Sequence, residues 1–219
     1  MQFRQVLVPQ PTDLPDLLQT DKVLKLLPAA EYDKIPKDTL IYWCSKYARY
    51  GLPTQELIVW LRDYIGDRHT IEIGAGNGDL AYHLNIRATD SKMQQLAEVK
   101  ISYAKMAQPV INYPNWVEKL DAAAAIIKYR PQVVIGSWIT HWIDPNKPVP
   151  EGGGNIYGVK EDELIASGIT YIMIGHRITH HYKPILQVPH HTWYLPFLRS
   201  RTSGNQYDNC IHIWNEKNN

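Results

Sequence analysis

The residues of this chain best suited to chemistry are two carboxylates and three glycines at close spacing. Glu72, Gly74, Gly76 and Gly78 fall within His69-Thr-Ile-Glu-Ile-Gly-Ala-Gly-Asn-Gly-Asp79, and Asp90 ends Ile86-Arg-Ala-Thr-Asp90. Glycines let a backbone adopt positive φ and approach a ligand closely, and amides opening a following helix offer partial positive charge to an anionic or electron-rich group. A carboxylate closing the next strand can accept from both hydroxyls of a ribose. The chemistry implied is capture of a nucleoside-containing cofactor.

The spacing narrows which cofactor. A dinucleotide fingerprint needs GxGxxG with an acid about 20 residues on. Here the third glycine arrives one residue early, at Gly78, and Glu72 stands inside the strand two residues before Gly74. The pattern Glu-x-Gly-x-Gly-x-Gly, with a second acid at Asp90, resembles motif I and the following acid of the class I S-adenosylmethionine (SAM) dependent methyltransferases. The resemblance implies an α/β, Rossmann-like fold with a mostly parallel seven-stranded sheet, helices on both faces and an N-terminal helical arm. It also implies that Glu72, Gly74, Ala75, Gly76 and Asp90 hold SAM. Ser91, directly after the ribose acid, and Ser137, at the end of the fourth strand, join them as candidates. Leu120-Asp121-Ala122 matches the place where the family holds adenine with an acid and the next amide. An N-cap on the following helix explains Asp121 equally well.

These residues need a frame of strands and helices. His69 to Ile73 reads as a strand, Asp79 to Leu84 as a helix and Ile86 to Thr89 as a second strand, a βαβ unit of the kind that crosses over right-handed. Before it, residues 1–66 form a proline-punctuated arm, with helices over Lys37 to Tyr50 and from an N-cap at Thr54 to Gly66. Tyr50 and Thr54 are placed where such a segment can cover a cofactor, or serve as core and cap. Residues 67–219 form the methyltransferase-like domain. In it Ser91 and Gln94 have capping-box spacing ahead of a helix through Ala104, and Asn115 to Asp121 reads as a strand entering an alanine-rich helix. Gln132 to Trp138 suits a strand buried on both faces, Ile169 to Ile174 the next, and Ile185 to Val188 and Ile211 to Trp214 the last two. Thr140 to Gly158, rich in glycine and proline, suits a lid.

Methyl transfer to a weakly acidic nucleophile needs alignment, exclusion of water and one base. His141 and His176 follow the fourth and fifth strands and are the base candidates, with Asp144 and Tyr157 behind them. Trp138, Trp142, Tyr157, Trp193 and Tyr194 could line an aromatic substrate pocket. The fourth strand ends in Ser137-Trp-Ile-Thr140, not in the proline-aromatic or Pro-Cys signatures of nucleic-acid base methyltransferases. The chain carries 23 basic and 22 acidic residues, a net charge of +1, so nothing draws it generally to nucleic acid or membrane. A small-molecule acceptor is the expected partner. No histidine pair has metal-ligand spacing, and no metal is expected. Cys44 and Cys210 lie far apart, and no signal peptide or span of roughly 18 apolar residues occurs, so a cytoplasmic protein is expected. Two other readings remain open, a SAM-fold scaffold without catalysis and an NAD-dependent oxidoreductase.

Overall fold

Alternating short apolar strands and amphipathic helices bury both faces of one sheet. A computed structural model describes residues 11, 13–146, 154–202 and 205–216. Its elements, in chain order, are α1 (Ala29–Asp33), α2 (Lys37–Lys46), β1 (Gly51–Leu52), α3 (Gln55–Ile65), β2 (Thr70–Ile73), α4 (Asp79–Leu84) and β3 (Arg87–Asp90). There follow α5 (Ala97–Lys105), β4 (Glu118–Lys119), α6 (Ala122–Tyr129), β5 (Val133–Ser137), α7 (Glu161–Ala166) and β6 (Thr170–His176). The chain closes with α8 (Arg177–His180), β7 (His191–Trp193), β8 (Arg199–Ser200) and β9 (Asn209–Trp214).

Seven strands form one sheet in the order β4-β3-β2-β5-β6-β9-β7. Every pairing from β4 to β6 is parallel, and β9 enters antiparallel between β6 and β7. On one face Leu57, Ile58, Leu61 and Ile65 of α3 and Leu80 and Leu84 of α4 pack on β5, β6 and β9. On the other, Ala125 of α6 and Leu164 and Ile165 of α7 pack on β2, β5 and β6. Burying each such aliphatic side chain is worth about 1.5–3 kcal/mol, so side-chain alternation decides which way each strand residue faces. In β2, Ile71 and Ile73 join the α6/α7 face, which turns Glu72 between them towards α4. β1 and β8 make a separate antiparallel ribbon, with Gly51 opposite Ser200.

Several expected elements differ, each for a local reason. The helix expected from Ser91 begins at Ala97, after a short 3-10 turn at Met93–Gln95. Asp90 Oδ1 accepts the Lys92 amide at 2.6 Å, and Lys92 is left-handed at φ 55°, a conformation from which a right-handed helix cannot continue. The strand expected over Ile185 to Val188 is a 3-10 turn, Pro184–Gln187, begun by proline at its first position. β7 instead forms at His191–Trp193. The strand expected from Asn115 is only the two residues of β4, and α2 stops at Lys46, not Tyr50. Thr54 caps α3 as expected, its hydroxyl oxygen accepting the Leu57 amide at 3.1 Å. Of the stretch read as a lid, residues 147–153 lie outside the described ones.

Candidate functional site

β2 leads through α4 to β3 on one side of the sheet, while β5 leads to β6 on the other. The connections leaving the carboxyl ends of β2 and β5 therefore part, and ligands of open parallel sheets bind in the crevice outside such a switch point. A cavity of about 330 Å³ lies there, the size of a small-molecule site. Its floor is the turn from Gly74 to Gly78, held in shape by β3. Asp90 Oδ2 accepts the Gly76 amide at 2.9 Å and Thr89 carbonyl accepts that of Ala75 at 3.0 Å. Gly78 sits at φ 71°, and a Cβ there would fall 2.3 Å from the Trp116 ring. A side chain at that position would break the turn away from the 116–117 segment.

The floor is acidic and buried. Glu72 is 2% exposed, and its Oε2 accepts the Ala81 amide at 2.9 Å. Burial, with the charges of Asp79 and Asp90 adding, pushes its carboxyl up to about 8, so near neutrality it is largely protonated. Asp79 is also raised by burial, against the pull of Arg49. Arg49 Nε donates to Asp79 Oδ2 at 2.8 Å, and its terminal nitrogens donate to Asn77, Tyr47, Lys22 and Asp79, so all five guanidinium donors are used. Leu24 amide donates to Asp79 Oδ1 at 2.9 Å. Through these bonds residues 22–49 close one end of the glycine turn.

Of the residues singled out from sequence, Glu72, Gly74, Ala75, Gly76, Asp90, Ser91 and Ser137 all line this cavity, as do Tyr50, Trp138 and Tyr157. Asp121 and Ala122 do not line it. Asp121 is exposed and caps α6, accepting the Ala124 amide at 2.9 Å. Neither histidine lines it. His141 Nδ1 lies 3.3 Å from Glu161 Oε2, in a buried group where Lys183 and Tyr171 also donate to Glu161. His176 is 4% exposed and takes the Thr179 amide at Nδ1, while its Nε2 has no partner among the described residues. Its ring lies 6.1 Å from that of Trp138, on the cavity wall. Burial lowers its pKa, so the imidazole is neutral at pH 7. Trp142 sits under Lys160, and Trp193 and Tyr194 are exposed elsewhere. Cys44 and Cys210 are buried thiols pushed up to about 12, unsuited to nucleophilic work.

Family models, curated proteins and solved structures give no match to this chain.

The sequence reading did not single out Arg49, Gln94, Tyr103, Tyr113 or Arg201 for the site, yet all five line it. Gln94 accepts the Ile111 amide at 2.8 Å and donates to the Tyr103 hydroxyl at 3.1 Å, which draws the 108–113 loop across the cavity. Burial, and after it the neighbouring Asp90 charge, raise the Tyr113 phenol. A carboxylate has about four acceptor positions, and the Gly76 and Lys92 amides take two of those on Asp90. The two that remain match the two hydroxyls of a ribose.

Proposed function

We propose that this chain is a SAM-dependent methyltransferase of the class I, Rossmann-like kind acting on a small-molecule acceptor. In this reading residues 67–219 carry the catalytic domain and residues 1–66 cover its cofactor end. One observation carries it: Glu72 and Asp90, on neighbouring parallel strands, line a single cavity at the sheet's switch point, with a left-handed glycine turn between them.

The donor set fits such a cofactor. SAM carries a sulfonium and an ammonium, and a buried, mostly protonated Glu72 beside Asp79 and Asp90 gains most by receiving a cation. Glu72 would hold the methionine end, Asp90 a ribose hydroxyl, and Gly74, Ala75 and Gly76 the underside of the ligand, with Ser91 and Ser137 at its flanks. When bound, SAM supplies a methyl group already activated by positive sulfur. What remains for the chain is to align the acceptor and keep water out. Trp138, Ile139 and Tyr157 wall the cavity at the end of β5, the place next to the transferring methyl in the family resembled. His176 Nε2, unpaired among the described residues and on a ring 6.1 Å from that of Trp138, is the candidate proton acceptor beside that wall.

That neither histidine lines the cavity favours a second reading, a SAM-binding protein without transfer. Thermal unfolding with SAM, S-adenosylhomocysteine or NAD present tests the cofactor. The two adenosyl ligands should raise the midpoint in the wild type and not in Asp90→Ala. Protection by NAD alone would replace this reading with an oxidoreductase.

A further inference from the structure

Three arginines line the cavity, and their donors are committed to very different extents. All five of Arg49 are used. Arg199 commits four, to both oxygens of Asp33 and to the carbonyls of Pro196 and Leu198. The Arg201 guanidinium makes no side-chain hydrogen bond or ion pair with any described residue. It lies over the Tyr50 ring, 3.9 Å from the centroid, a cation–π contact that fixes the cation and leaves its hydrogen-bonding edge open.

This cation is built in. The Arg201 amide donates to the Tyr50 carbonyl at 3.0 Å, continuing the β1–β8 ribbon that pairs Gly51 with Ser200. The ribbon presses on the wall after β5, since a Cβ on Gly51 would come within 3.0 Å of Trp138. Trp138 holds φ 58°, a left-handed conformation costly for a bulky residue, and its ring lies 6.4 Å from that of Tyr50. Tyr50, Trp138 and Arg201 thus make a second wall, built from segments other than the glycine turn, which Arg49 serves.

Resting on the methyltransferase reading for the rest of the cavity, we propose that this wall is the acceptor subsite and that it takes a small aromatic carboxylate. Arg201 grips the carboxylate with its paired donors, and the ring of the acceptor packs along Tyr50 and Trp138. A free guanidinium edge matches a carboxylate bidentately, and two flanking indole and phenol faces exclude an aliphatic chain less well than they favour a ring.

The test is calorimetric titration of hydroxy- and aminobenzoates, and of their primary amides, into the free protein and the protein saturated with S-adenosylhomocysteine. The acids should bind at least tenfold more tightly than the amides. Arg201→Gln should erase that preference, Arg201→Lys should keep part of it, and both should leave S-adenosylhomocysteine affinity within about twofold. Equal binding of acids and amides, or no binding of the acids, overturns the proposal. So does an Arg201→Gln variant that loses S-adenosylhomocysteine instead, because Arg201 then serves the cofactor. If S-adenosylhomocysteine fails to bind the wild type, the cofactor reading falls, while the acid-to-amide preference in the free protein still decides the anion subsite.

Discussion

Glu72 carries more of the account than any other side chain, because strand alternation leaves it facing α4 with no cation partner among the described residues. Its carboxyl, at about 8 when folded against an ordinary 4.5, keeps a proton that the unfolded chain sheds between those two values. The unfolded state then binds fewer protons, so the Glu72 contribution to stability is fully present below about pH 4.5 and is lost as pH rises through about 8. Glu72→Gln, which keeps the acceptor for the Ala81 amide, should flatten that part of the stability–pH curve measured in denaturant. The same substitution should weaken SAM at least tenfold, and SAM affinity in the wild type should rise with pH up to about 8 as the cation draws the proton off. S-adenosylhomocysteine, lacking the sulfonium charge, should show a shallower rise. Asp121 offers the opposite case. As a cap on α6 it is worth about 1 kcal/mol, so Asp121→Ala should lower stability by that amount and leave SAM affinity alone. A tenfold loss of SAM would return Asp121 to the adenine. For His176, His176→Ala should cut turnover at least a hundredfold with SAM affinity intact, and unchanged turnover would remove it from the reaction.

At the scale of elements, the segment before α3 is tied to the glycine turn by one buried ion pair. Arg49→Met leaves Asp79, 7% exposed, without its cation, and breaking such a buried pair costs about 3–5 kcal/mol. Denaturant unfolding should show this loss, and a change under about 1 kcal/mol would mean that the pair contributes little. The glycine turn, β2, β3 and β5 were legible in the sequence because their signals are local: glycine punctuation, an apolar run and the acid that closes it. The cap at Thr54 was legible for the same reason. Arg49, Tyr103 and Arg201 were not, since each reaches the cavity from a distant segment and no local pattern marks it. The shift of the helix start from Ser91 to Ala97 was hidden too, because it follows from Asp90 taking the Lys92 amide. Likewise the choice between Ile185 and His191 for the last edge strand rests on pairing with β9, a long-range register that short periodicity does not encode.

Across the whole molecule, strand order does what no single residue can. Reversal of the strand order between the parallel neighbours β2 and β5 opens the crevice, alternation in β2 brings Glu72 to one side of it, and β3 brings Asp90 to its lip. The arm, the 108–113 loop and the β1–β8 ribbon then close three sides with Arg49, Tyr113 and Tyr50. Among the described residues no helix is long and apolar enough to cross a membrane, and the chain's near-neutral charge leaves recognition to this cavity. Isothermal titration of SAM, S-adenosylhomocysteine and NAD into the full chain measures the central claim directly. Both adenosyl ligands should bind with submillimolar Kd, better than about −4 kcal/mol, SAM should release protons on binding near pH 7, and NAD should give no heat of binding. An absence of heat with both adenosyl ligands, or binding of NAD in their place, would contradict it.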